Sequence, residues 1–106
     1  MGTLTFREFQ KINDERCRIA FHPEGWSVAM WCLAIAGEAG ELCNLVKKTV
    51  RGDFTLQSVR QQVLGELADV ITYCDLLMTE MGADTGDEVR RKFNVVSERV
   101  GTEIRL

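Results

Sequence analysis

Hydrophobic and polar positions follow the period of an α-helix along most of this chain. Apolar residues recur every three or four positions in four stretches, which is typical of helices with one buried face. The stretches predict helices over residues 5–20, 26 or 27–49, 55–81 and 84 or 85–100. Pro23 interrupts the pattern after the first helix, and residues 51–54 form a loop before the third. No strand-like alternation competes, so the predicted fold class is all-α, with a protomer like a four-helix bundle.

Local signals support the ends of these helices. Thr5 with Glu8, and Thr85 with Glu88, have the spacing of a capping box, which predicts that both threonines cap helix N-termini. Gly82 follows the third helix and is a typical C-terminal residue.

The second and third predicted helices are apolar on more than one face. Leu64, Ile71 and Met78 add to the main stripe of the third helix, and Cys32 and Ile35 add to that of the second. Four helices in one short chain leave much of this surface uncovered, which predicts self-association into a helical bundle. The alternative is a tight monomeric core with a few exposed apolar residues.

Composition narrows the classes of function. The chain has 106 residues, a size that predicts one domain over 1–106, and its net charge of −3 disfavours a general nucleic-acid or membrane-surface binder. No uninterrupted apolar run approaches the 18 residues of a membrane span. The four cysteines have no CxxC spacing and predict reduced thiols in a cytoplasmic protein. A single histidine, His22, leaves no conventional zinc site.

Two acidic pairs, Glu38 with Glu41 and Glu66 with Asp69, carry the candidate chemistry. Each pair has a spacing of three residues, which places both acids about one turn apart on one side of a helix. Glu38 falls in the middle of the stripe that should face the core, and the other three lie beside a stripe. Buried carboxylates need cations, so four converging acids predict a divalent metal site.

The type of ligand atom indicates which metals the site would bind. All four acids offer oxygen ligands without a histidine, which suits Mg²⁺, with Mn²⁺ as an alternative, and disfavours a di-iron centre. Gly37, Gly40 and Gly65 flank the acids, and glycine costs about 0.5–1 kcal/mol in a helix interior relative to alanine. We therefore expect something to approach the backbone closely there. The competing interpretation of either pair alone is a solvated charge cluster.

The segment GEAGEL, followed by GELADVITY, resembles the MazG-like all-α nucleoside triphosphate pyrophosphohydrolases, whose pattern is an ExxE and an ExxD on consecutive helices. The resemblance covers nearly the whole chain and matches the compact single-domain branch. It implies hydrolysis of a nucleoside triphosphate, usually a deoxynucleotide, to the monophosphate and pyrophosphate, and a homodimer or homotetramer. By position it makes Glu38, Glu41, Glu66 and Asp69 the metal ligands. Glu41 is the candidate general base because it lies off the centre of the stripe, nearer solvent.

The resemblance also suggests residues that hold the nucleotide. His22, Trp26 and Trp31 lie where the family places base and sugar contacts, and asparagines of the last helix, here Asn94, lie near the nucleotide in the family. From the residues alone, Trp26 is the better stacking candidate and Trp31 is more simply a core residue.

Two basic residues of the last helix, Lys92 and Arg99, lie seven positions apart on one flank and are candidates to bind phosphates. A solvated basic face is the alternative.

The first helix carries Asn13 and Arg16 on its apolar face, where a structural salt bridge is favoured over contact with a pocket.

Two rival functions stay open. One is a non-catalytic helical oligomer whose acids form salt bridges between chains. The other is a related hydrolase that resembles dimeric dUTPases or phosphoribosyl-ATP pyrophosphatases. The sequence leaves the base of the nucleotide open.

Overall fold

The computed structural model describes residues 2–106 and is all-helical over that range. A short 3₁₀ turn, Gln57–Val59, precedes the third helix. The four α-helices are α1 (Phe6–Ala20), α2 (Val28–Arg51), α3 (Arg60–Glu80) and α4 (Thr85–Arg99). The predicted all-α class is therefore confirmed for the described part of the chain.

Polar side chains cap the N-termini of α1 and α2, and the cap at Thr5 is the one that the sequence predicted. The backbone N–H of Glu8 donates to Thr5 Oγ1 at 3.1 Å, and that of Met30 donates to Ser27 Oγ at 3.2 Å. Each bond satisfies a backbone donor that has no partner within its helix. At the other end of α2, Gly52 adopts φ 94°, a left-handed conformation that glycine takes without steric cost.

The prediction that Thr85 caps α4 is wrong. Asp84 is the N-cap, because its Oδ1 accepts the N–H of Asp87 at 2.9 Å, while the Thr85 hydroxyl donates to Asp75 Oδ1 at 2.6 Å. Asp84 and Thr85 are adjacent and both are of a type that can cap a helix. The hydroxyl of Thr85 is already hydrogen-bonded to the buried carboxylate of Asp75 on α3, so Asp84 is the cap.

The third helix also begins later than predicted. Thr55 Oγ1 accepts the N–H of Ser58, and the Ser58 hydroxyl donates to the carbonyl of Thr55, so these residues form a tight turn. Val59 follows with ψ 12°, outside the helical range, and is buried at 6% exposure. Because Val59 is buried, the turn is anchored to the rest of the protein, and α3 begins only at Arg60.

The helices pack around α3. α2 shares the longest interface with α3, while α1 packs on another side of α3 and α4 contacts α1 and α3 but not α2. Gln10 of α1 donates to Thr79 and Asn13 donates to the carbonyl of Thr72, so α1 and α3 are antiparallel. The first half of α2, the middle of α3 and the C-terminal half of α1 line one cavity.

The hydrophobic core is small for a chain of this size. Its buried members are Cys17, Trp31 and Leu76, with Tyr73 and Leu77 packed against them. The radius of gyration is 16.4 Å, against about 13 Å for a compact domain of this length. Many large apolar side chains therefore lie on the surface of the isolated protomer.

By length and composition, α2 is long and apolar enough to cross a membrane, a test that core helices of water-soluble proteins also pass. The sequence pattern alone did not reveal this candidate, because acids interrupt the apolar run. Glu38 and Glu41 lie near the middle of α2, and each charge there costs about 2.5–3.5 kcal/mol on insertion.

Candidate metal centre and adjoining cavity

Three of the four predicted acids converge where α2 crosses the middle of α3. Glu38, Glu66 and Asp69 each offer a carboxylate oxygen, and these oxygens all lie within 4.8 Å of one another. The spacing of three residues on α3 places Glu66 and Asp69 on the side that meets α2. Residues from two helices thus form one cluster of hard oxygen ligands.

Glu41 lies at the edge of this cluster. It is exposed and falls outside the group of three, but its charge acts on the other acids. Burial raises the pKa of Glu66, and repulsion from Glu41 and then Asp69 raises it further. Burial likewise raises the pKa of Glu38, followed by repulsion from Glu41, Asp69 and Glu66. Both shifts make protonation easier than in an isolated glutamate, because no cation offsets the clustered negative charge.

The surrounding residues do not supply that cation. Among residues 2–106, none of the four acids forms an ion pair with lysine or arginine. Glu66 Oε2 is buried and has no hydrogen-bond partner in the described chain. A buried carboxylate oxygen without a donor is rare in folded proteins, and a metal ion is one partner that satisfies it.

A cavity of about 420 Å³ opens beside the acids and lies between α1, α2 and α3. This volume is in the range of pockets that bind small molecules. Glu38 and Asp69 lie on its wall. We call it the tryptophan cavity; its other walls include Asn13, Arg16, Phe21, Trp26, Trp31, Thr72 and Tyr73.

The two tryptophans line this cavity and differ in how much of each side chain is exposed. Trp31 is 2% exposed and belongs to the core, whereas Trp26 is 38% exposed. Their ring centroids are 4.7 Å apart, with the planes tilted by 57°. Trp31 is thus a core residue, which confirms one of the two roles predicted for it, and it also lines the cavity; its contact with a base stays a prediction. His22 is exposed in the turn before α2, with φ 48°, and its neighbours Phe21 and Pro23 line the cavity.

Asn13 is held by a buried polar network that joins three helices. Its Nδ2 donates to the carbonyl of Thr72 at 3.0 Å and to Asp75 Oδ2 at 2.9 Å. Asp75 is 1% exposed, and its other oxygen accepts the hydroxyl of Thr85. The predicted salt bridge on this face of α1 does not form, because Asn13 pairs with Asp75 and Arg16 makes no ion pair among residues 2–106.

The candidate residues of α4 lie elsewhere in the protomer. Lys92 is exposed and lines a separate apolar groove between α3 and α4, and Arg99 is exposed in the last turn of α4. Asn94 donates to the carbonyl of Leu106 at 3.3 Å and accepts its N–H at 2.9 Å. The side chain of Asn94 therefore holds the C-terminal segment against α4.

Sequence reasoning missed Tyr73 as a neighbour of the acids. Burial raises the pKa of Tyr73, and repulsion from Glu38 and Asp69 adds to the effect, so its hydroxyl stays protonated. Its position four residues after Asp69 placed it on the same face of α3, and that signal was available in the pattern.

Comparisons of the chain with protein-family models, with curated proteins and with solved structures gave no match.

Proposed function

We propose that this protein is a Mg²⁺-dependent nucleoside triphosphate pyrophosphohydrolase, as the GEAGEL and GELADVITY motifs suggest. The observation that carries the proposal is the convergence of Glu38, Glu66 and Asp69 within 4.8 Å without a cationic side chain. Such a cluster is unfavourable by itself and becomes favourable when a divalent ion binds.

The residues present fit Mg²⁺, with Mn²⁺ as the alternative. The donor set consists of carboxylate oxygens, and one of the three acids, Glu66, has a buried Oε2 without a hydrogen-bond partner in the described chain. Glu38, Glu66 and Asp69 would hold the ion, and Glu41 is close enough to join them or to bind a water. When bound, the ion supplies charge neutralisation for the phosphates and lowers the pKa of a bound water.

The chain's own contribution to the reaction is to orient water and substrate. Glu41, exposed beside the cluster, accepts the proton of the attacking water. The water oxygen bonds to the α-phosphorus in line, the bond from that phosphorus to the bridging oxygen breaks, and pyrophosphate leaves with the electron pair. The products are a nucleoside monophosphate and pyrophosphate.

A second copy of the chain is part of the proposal. The accessible surface of the protomer is 7827 Å². A compact monomer of this mass exposes about 6,000 Å². The excess of about 1,800 Å² exceeds the roughly 800 Å² that each partner buries in a standard interface. We therefore propose an obligate homodimer or homotetramer.

The spacing of exposed apolar residues on α3 supports this assembly. Side chains three and four residues apart along one face form the seam of a helix pair. Within this face Ile71 is 55% exposed and Leu67 is 42% exposed. The α3 seam, as we call it, consists of Leu64, Leu67, Ile71, Cys74 and Met78.

The glycines beside the acids agree with a close approach from outside the protomer. A Cβ added at Gly37, Gly40 or Gly65 meets no described atom within 4 Å, so nothing in the protomer itself fills the space beside them. In the described protomer Lys92 and Arg99 form no ion pair with the acids, and Lys92 lines a groove beside Met78, nine residues after Asp69 on α3. We propose that they reach the phosphates only through the assembly.

The test is pyrophosphate release from a panel of canonical and modified nucleoside triphosphates with Mg²⁺. We expect the monophosphate and pyrophosphate as products, with activity abolished in Glu38→Gln and Asp69→Asn. Glu98→Gln is the matched control, because Glu98 is exposed on α4 and makes no side-chain ion pair among residues 2–106.

Two outcomes would refute the proposal. Orthophosphate as the main product contradicts the bond that is assigned to break. No turnover, together with no stabilisation by Mg²⁺, favours the non-catalytic oligomer, whose acids would instead pair with basic residues of another copy.

A further inference from the structure

One basic residue lies on the wall of the tryptophan cavity. Arg16 of α1 is the only lysine or arginine among the described residues that line it. Arg16 is exposed and makes no ion pair among residues 2–106. By contrast Arg18, two positions later on the same helix, pairs with Asp14 at 3.0 Å. The cavity therefore has on its wall a positive charge that no acid of the described chain neutralises.

The packing of α1 on α3 places Arg16 at the level of the acids. Asn13 Nδ2 donates to the carbonyl of Thr72 at 3.0 Å, and this bond fixes the register of the two antiparallel helices. Arg16 follows Asn13 by three residues, about 4.5 Å along α1. Asp69 precedes Thr72 by three residues on α3, which is the same distance in the same direction. Arg16 and Asp69 therefore lie at one level, and both line the cavity.

The cavity wall thus carries charges of opposite sign on different helices. Glu38 and Asp69 are the acids, and Arg16 is the cation. Neither acid pairs with Arg16, so the guanidinium is free to bind another anion. With the proposed divalent ion at the acids, the cavity would have two positive centres. Two such centres fit a ligand with several charged oxygens, which an arginine can bind in pairs.

We propose that Arg16 is a catalytic residue that binds the diphosphate end of the substrate, an assignment that rests on the proposed function. Its N–H groups donate to non-bridging oxygens of the β- and γ-phosphates. When the bond between the α-phosphorus and the bridging oxygen breaks, the electron pair stays on that oxygen and the leaving pyrophosphate gains negative charge. The fixed charge of Arg16 stabilises this group without accepting or releasing a proton.

Binding of the leaving group can be measured without turnover. Pyrophosphate is titrated into the protein by isothermal titration calorimetry, with equal Mg²⁺ in the cell and the syringe. In a second experiment Mg²⁺ alone is titrated into the metal-free protein. Arg16→Gln removes the charge, and Lys11→Gln is the matched control. Lys11 is exposed on the same helix, makes no ion pair among residues 2–106 and does not line the cavity.

The two titrations should respond to Arg16→Gln in different ways. We expect the Kd of pyrophosphate to rise at least about tenfold, the loss typical of hydrogen bonds to a charged group. Arg16→Lys keeps the charge without the planar fork and should cause a smaller rise. The affinity for Mg²⁺ should stay the same or increase, because Arg16→Gln removes a positive charge near the acids. Lys11→Gln should match the wild type in both titrations.

Several outcomes overturn the inference. It fails if wild type with Mg²⁺ does not bind pyrophosphate, or if Arg16→Gln leaves the Kd unchanged. It also fails if Arg16→Gln weakens Mg²⁺ and pyrophosphate binding equally, since that result indicates a purely structural role.

The same measurements separate this inference from the proposed function. Normal pyrophosphate binding by Arg16→Gln, together with pyrophosphate release from triphosphates by wild type, refutes the role of Arg16 and leaves the proposed function standing. Pyrophosphate binding that depends on Arg16, without turnover of any triphosphate, supports the role of Arg16 as an anion-binding residue and refutes the proposed function.

Discussion

Glu38 on α2 and Asp69 on α3 have carboxylate oxygens within 4.8 Å of each other, with Glu66 equally close. Like charges at this distance repel, so the contact is unfavourable in the metal-free protein. Each of these charges therefore lowers the stability of the metal-free protein, although it offers a ligand to the proposed metal ion.

Removing one of these charges should stabilise the metal-free protein. Asp69→Asn keeps the size of the side chain and relieves repulsion with Glu38 and Glu66, so the Tm without metal should rise by a few degrees. The same variant should lose the increase in Tm that Mg²⁺ gives the wild-type protein. Differential scanning fluorimetry with and without Mg²⁺ measures both effects. A metal-free Tm lower than that of wild type contradicts this account of the cluster.

The pH dependence of stability should have a defined sign. Because the folded protein raises the pKa of Glu38 and of Glu66, the folded state holds protons that the unfolded state releases. The unfolding free energy is therefore highest below the ordinary glutamate pKa and falls as the pH rises through the raised values. Chemical denaturation without metal, from about pH 4.5 upward, should show wild type losing stability relative to Glu38→Gln.

Mg²⁺ should remove this pH-dependent loss, since the ion replaces the protons. The stabilisation by Mg²⁺ should be larger at pH 7.5 than at pH 5, where protons compete for the same oxygens. A Mg²⁺ effect independent of pH would place the ion elsewhere.

Asp75 should be important for stability rather than for chemistry. It is 1% exposed and accepts hydrogen bonds from Asn13 and Thr85, so it joins α1, α3 and α4. Asp75→Ala leaves the Thr85 hydroxyl without its acceptor and leaves Asn13 Nδ2 with only the carbonyl of Thr72, so it should destabilise the protein by about 2–4 kcal/mol. Urea denaturation measures the loss. A change below about 0.5 kcal/mol, the size expected for surface substitutions, would show that the network contributes little.

The α3 seam should control assembly. Ile71→Asp places a charge in the proposed interface between copies and should convert the oligomer to monomers or unfolded chains, with loss of turnover. Ile104→Asp is the matched control, since Ile104 is 67% exposed in the C-terminal segment. Analytical ultracentrifugation reports the mass of each variant. An Ile71→Asp protein with the wild-type mass would exclude the seam as the interface.

Much of the fold follows from local rules, and the exceptions have nonlocal causes. The cap at Thr5 involves residues within a few positions of each other, and the capping pattern predicts it. Ser27 and Gly52 cap α2 through equally local contacts, although neither was predicted as a cap. Thr85 failed as a cap because its partner, Asp75, lies on another helix. A capping pattern cannot reveal that a hydroxyl is occupied by a distant carboxylate.

The candidate site likewise has features that follow from local spacing and features that depend on distant residues. The spacing within each acidic pair predicts its helix face, and the convergence of Glu38 with Glu66 and Asp69 agrees with that expectation. Asn13 contacts residues 59 and 62 positions away, a relationship that the pattern of one helix does not contain. The tryptophan cavity forms only where three helices meet, so its polar groups become visible only in the folded chain.

The most direct test of the central claim is the affinity of the protein for Mn²⁺ or Mg²⁺, measured by isothermal titration calorimetry. Wild type should bind the ion, Glu38→Gln and Asp69→Asn should each weaken binding at least about tenfold, and Glu98→Gln should bind as wild type does. Equal affinities in all four proteins, or no binding to wild type, would contradict the assignment of these carboxylates to a metal centre.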